Sequence, residues 1–97
     1  MPKPHAASHD ADAVAALLHK QKLKHLRVRA RADTLTVESG PAADPFPHAR
    51  LRRDTVHLWR LEMPSHTGRW QQTPHRGPRD KLVKLLIDVY GWTLEAF

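Results

Sequence analysis

The chain has 97 residues, 40% of them apolar, with six aromatic side chains and no cysteine. That allows one modest hydrophobic core and excludes disulfide staples, thiol catalysis and cysteine-ligated zinc. The formal net charge of +6 favours anionic partners. No apolar run approaches the ~18 residues of a membrane span, and Met1–Asp10 lacks the apolar centre of a signal peptide. The expectation is a soluble cytoplasmic protein with no membrane partner.

Met1–Ala7 holds two prolines and no periodicity, so residues 1–8 read as a flexible tail and 9–97 as a single domain. A first helix starts at Ser8 or Asp10, with Asp10 and Asp12 in its first turn. Ala11, Val14, Leu17 and Leu18 form its apolar stripe. Lys20, Lys22 and Lys24 fill its C-terminal end, where cations complement the helix dipole.

From Leu26 the period changes to two. Leu26, Val28 and Ala30 alternate with Arg27, Arg29 and Arg31, the pattern of a half-buried strand. A turn at Ala32-Asp33 leads into Leu35–Glu38. Pairing Arg31 with Thr34 sets Val28 against Val37, Ala30 against Leu35 and Arg27 against Glu38, so apolar meets apolar and opposite charges meet. Ser39–Pro47 is a glycine- and proline-rich loop, with Phe46 expected to plug the core. Alternation resumes over His48–Arg53, with Ala49 and Leu51 on one side and Arg50 and Arg52 on the other.

A hairpin follows over Thr55–Thr73. His57, Trp59, Leu61 and Met63 share its bulkier face, which is assigned to the core. Trp70 joins that face if it pairs with Leu61, leaving Pro64–Thr67 as the loop and Gly68 just after it at a left-handed position. The last helix begins near Pro78 and carries Leu82, Leu85, Leu86 and Val89 at helical spacing. Gly91 reads as its stop, and Trp92, Leu94 and Phe97 as a segment folding back on the core. The fold class is therefore α+β: an N-terminal helix, a four- to five-stranded antiparallel meander sheet, and a C-terminal helix packed on one sheet face.

Charge is distributed unevenly along this order. Lys20, Lys22, Lys24, Arg27, Arg29 and Arg31 fall within twelve consecutive residues that contain no acid, and the rest of the chain sums to zero. Arginines at alternate strand positions leave one sheet face and can track phosphates. A second basic group, Arg76, Arg79 and Lys81, flanks the start of the last helix, where free N–H groups favour anions. Eight histidines show no metal-ligand spacing. Among them His48, His66 and His75 fall in or beside loops and, with Arg69, form a possible polar loop site. No cofactor or metal site is expected.

The helix–strands–helix order is loosely similar to that of double-stranded-RNA-binding domains, with Arg79-Asp80-Lys81 where that family has a lysine-rich helix start. The chain departs from the pattern in its extra strand material and in lacking the lysine pair, so no residue roles are carried over. The leading expectation is a small non-catalytic module that contacts nucleic-acid phosphates, DNA or RNA, through Lys20–Arg31. The alternative is an accessory domain, dimeric or not, that binds an acidic protein. A histidine-dependent hydrolase or nuclease is third, since no paired carboxylates stand at a metal spacing.

Overall fold

The computed structural model describes residues 8–41, 43–55, 58–65 and 67–94, with the backbone alone at Trp92 and Thr93. The chain runs α1 (Ser8–Lys20), β1 (Arg27–Arg31), β2 (Thr34–Ser39), β3 (Phe46–Arg53), β4 (Trp59–Pro64), β5 (Trp70–Gly77) and α2 (Arg79–Tyr90), then a 3₁₀ turn over Gly91–Leu94. The five strands form one antiparallel sheet in chain order, β1-β2-β3-β4-β5. Both helices lie on one side of it, and no described element covers the other.

The alternating sequence accounts for this two-sidedness. Arg27 pairs with Glu38, Val28 with Val37, Ala30 with Leu35 and Arg31 with Thr34, the register the side-chain pattern predicts. Ala32, at φ +51°, makes the tight connection. Leu35 and Leu51 pair in turn, then Leu51 and Leu61, so one apolar line crosses three strands. Val14 and Leu18 of α1 and Leu82, Val83 and Leu86 of α2 close over that line, together with Leu94. Fully burying such a side chain contributes ~1.5–3 kcal/mol, so this layer is the main source of stability.

α1 ends in a Schellman-type cap. The Leu23 N–H donates to the Leu18 carbonyl and the Lys22 N–H to the His19 carbonyl, with Lys22 at φ +67°. α2 ends at Tyr90 with Gly91 as its C-cap, as the sequence predicts, but without a left-handed residue. Gly91 has φ −54°, and the chain tightens into the 3₁₀ turn that buries Leu94.

Three local expectations are corrected. Trp70 pairs with Pro64, not Leu61. The hairpin loop is Ser65–Arg69, closed by the Ser65 N–H on the Arg69 carbonyl at 2.7 Å, and Gly68 takes φ +81°. Trp59 is accordingly buried under the helices, while Trp70 stands on the open face. Phe46 does not plug the core; it begins β3 and is 48% exposed, its ring edge-on to His48. The flexible tail expected before Ser8, and the readings of His57, Phe97 and the Trp92 side chain, fall outside the described residues.

A buried acid ties the ends of the fold together. Asp10, in the first turn of α1, is 4% exposed. It accepts from Arg79 Nη1 at 2.6 Å and lies 3.6 Å from Arg53 Nη1. Arg53 also sits over the Trp59 ring, 5.1 Å from its centroid. Asp10 thereby links α1, the end of β3 and the start of α2, beyond any role at the helix dipole. Among the described residues no helix is long and apolar enough to cross a membrane.

Candidate anion-binding face

Strand parity sends one residue in two away from the helices, and the open face collects seven of the ten arginines in the sequence. They are Arg27, Arg29 and Arg31 on β1, Arg50 and Arg52 on β3, Arg60 on β4 and Arg76 on β5. The lysines of the described chain are elsewhere: Lys20, Lys22 and Lys24 at the rim where α1 hands over to β1, Lys81 and Lys84 on α2.

Two glutamates lie beneath the arginines, each 4% exposed. Glu38 faces Arg27 Nε at 3.2 Å and Arg29 Nη2 at 3.7 Å. Glu62 accepts from Arg50 Nε at 2.7 Å and lies 3.4 Å from Arg52 Nε. Asp33 and Asp54 stand at the rim. Arg52 Nη1 reaches Asp33 at 3.2 Å. Asp54 takes Arg76 Nη2 at 2.6 Å and Arg60 Nε at 3.5 Å. The hydrogen bond and charge of Arg76, with Arg60 adding to them, outweigh desolvation and hold the Asp54 carboxyl below its ordinary value.

Three of these carboxylates are therefore shared between two guanidiniums, and the face keeps a cationic excess. Each guanidinium has five donors, so a carboxylate at one edge leaves others for a ligand. The arginines differ in how fully they are engaged. Arg27 is the most committed, since it also donates to the Gly40 and Pro41 carbonyls. Arg29 keeps only the long contact to Glu38, with its side chain 54% exposed. Among the described residues, Arg31, Arg69, Lys20, Lys22 and Lys24 have no carboxylate within ion-pair distance, and all five are exposed.

Register arranges the face in rows across the strands. One row runs Arg31, Thr34, Arg52, Arg60, Arg76, and the next runs Arg29, Thr36, Arg50, Glu62, Gln72. Trp70 flanks the end of the second row, with Arg50 Cζ 4.4 Å from its ring centroid. Rows two residues apart along a strand are about 7 Å apart, and five strands span about 19 Å.

Not every basic residue singled out in the sequence reaches this face. Arg76 does, but at the opposite sheet edge from Arg29 and Arg31. Arg79 belongs to the helix layer, where Asp10 and Asp80 engage it. Burial opposes its charge, but the hydrogen bonds it donates to Asp80 and Asp10 prevail and its pKa is raised. Lys81 is exposed on the same helix.

Of the loop histidines, His48 and His75 do not meet; His48 instead lies edge-on to His25, ring centroids 6.3 Å apart. His48 is not a loop surface residue but 1% exposed, at a bulge of β3, with its Nε2 2.7 Å from Ser39 Oγ. His75 is on the edge strand β5, 3.2 Å from the Tyr90 hydroxyl and two strands away from His48 on the central strand β3. His66 lies outside the described residues. Among the described residues no group of three or more His, Cys, Asp or Glu side chains could hold a metal ion.

Sequence reasoning missed Arg50, Arg52, Arg60, Glu62 and Trp70. The alternation over His48–Arg53 already set Arg50 and Arg52 on one side. A charge sum along the chain hid them, because it cancelled them against Asp12, Asp44, Asp80 and Asp88, which the fold places on helices or in a loop. The chain matches no family model, no curated protein and no solved structure.

Proposed function

We propose that this protein is a small non-catalytic binding module that holds nucleic acid by its phosphates, on the open arginine face and its lysine rim. The observation that carries the reading is the segregation of seven arginines onto the sheet face the helices leave uncovered. Phosphate oxygens accept bidentate hydrogen bonds from guanidinium, and arginines already oriented by buried glutamates lose less freedom on binding. Lys20, Lys22, Lys24, Arg29 and Arg31 supply the least engaged charges; Arg50, Arg52, Arg60 and Arg76 extend the surface across the sheet.

Titration of a labelled oligonucleotide at several salt concentrations tests it. Affinity should fall linearly with the logarithm of salt concentration, because phosphate contacts release counterions. Arg29→Glu with Arg31→Glu should weaken binding to every sequence alike. No binding at low salt, or binding indifferent to salt, would sink the proposal.

An acidic protein could use the same guanidiniums, and the 48% exposure of Phe46 favours that second reading by adding an apolar contact. Polyglutamate that displaces the oligonucleotide at equal charge concentration would move the assignment there.

A further inference from the structure

We infer that the nucleic acid bound by this face is single-stranded, its backbone over the Arg31–Arg76 row and a base stacked on Trp70. This rests on the phosphate-binding reading above.

The first argument is shape. The face is a slab about 19 Å across, and among the described residues no helix or ribbon stands out from it. Base edges of a duplex are read by inserting such an element into a major groove about 12 Å wide, so on a duplex this face is limited to phosphate contacts. A single strand needs no insertion, because its bases can splay over a sheet and stack on side chains.

The second argument is the division of chemistry between rows. Arg31, Arg52, Arg60 and Arg76 form a cationic row crossing β1, β3, β4 and β5. The neighbouring row, about 7 Å away on β1 to β4, is mixed and ends at Gln72; Trp70 lies two residues beyond Gln72, with its ring against Arg50 of that row. A sugar–phosphate backbone along the first row brings its bases over the second. The indole that meets Arg50 offers a π-face at the edge of that row, and the exposed Gln72 amide offers both a donor and an acceptor to a base edge.

The third argument is the placement of Trp70 itself. It lies half-buried on the open face, away from the core that takes Trp59. Arg50 sits 4.4 Å from its ring centroid, and Glu62 fixes Arg50 at 2.7 Å. A buried carboxylate thus orients a guanidinium that orients an indole, which leaves the ring positioned before a base arrives.

The test is fluorescence anisotropy with three probes of equal length, about twelve nucleotides: a thymidine single strand, an abasic single strand and a duplex. Wild type should bind the thymidine strand most tightly. Trp70→Ala should lose roughly 5- to 150-fold on the thymidine strand, the range of one base–aromatic stack, and leave the abasic strand unchanged. Trp70→Phe should recover most of the loss, and near-native circular dichroism of both variants checks the fold. A duplex bound as tightly as the thymidine strand, or an equal Trp70→Ala loss on thymidine and abasic strands, overturns this inference and leaves phosphate binding standing. Failure of all three probes to bind at low salt overturns both.

Discussion

The two faces of the sheet come from the same alternation and are closed by different means. On the helix side, Leu35, Val37, Leu51 and Leu61 are essentially without solvent exposure, and helices complete the seal. On the other side no described element covers the strands, and arginine guanidiniums close over Glu38 and Glu62 instead. The first face excludes water by apolar area, the second covers its two buried carboxylates with guanidiniums. The difference lies in what each can still bind. A packed apolar layer has no unused valence, whereas guanidiniums shared between carboxylates retain free donors and net charge.

Perturbing one face at a time separates these roles. Leu61→Ala should have the largest effect, a loss of about 2–5 kcal/mol in stability, from lost burial and an incompletely filled cavity. Denaturant unfolding reads it directly, and oligonucleotide affinity of the folded fraction should not change. Glu62→Gln should cost less, about 1–3 kcal/mol, because Arg50 and Arg52 lose their shared counter-charge while remaining partly solvated. The same variant should bind nucleic acid more tightly, since one negative charge leaves the face. Opposite signs in the two measurements would mark a residue that holds the face together and restrains its ligand.

Arg31→Ala tests the least engaged cation. Stability should stay within about 0.5 kcal/mol of wild type. The slope of log affinity against log salt should fall by about 1, as expected for one phosphate contact. The smallest effect is the pH response of Asp54, whose folded pKa is lowered chiefly by Arg76. Its contribution to stability is complete above the ordinary aspartate value and is lost as pH falls through the lowered folded value. Carboxyl chemical shifts should show that low midpoint in wild type and a return toward the ordinary value in Arg76→Ala.

Much of the fold was legible because alternation constrains register wherever two strands are joined by a tight turn. The Arg27–Glu38 pairing follows from matching apolar positions across Ala32-Asp33, and the structure has that pairing. The Trp70 register failed under the opposite condition. The Ser65–Arg69 loop is long enough to leave parity open, and bulk was used where geometry was needed. β5 also carries two residues more than β4 between the Arg60–Arg76 and Glu62–Gln72 pairs, an irregularity no local pattern announces. The open face was only half visible for a related reason. Its arginines come from four strands, and proximity along the chain does not report proximity across a sheet.

The meander order also has a consequence for folding. Every strand pairs with its neighbour in sequence, so the sheet can grow from one end by closing short loops. The contact between Asp10 and Arg79 is of another kind, spanning 69 residues. Relative contact order is kept low by the sheet and raised by that helix–helix junction. Docking of the two helices is thus the step with the greatest chain entropy to overcome. A substitution at Asp10 should act on the folding rate only to the extent that the junction is already formed in the transition state.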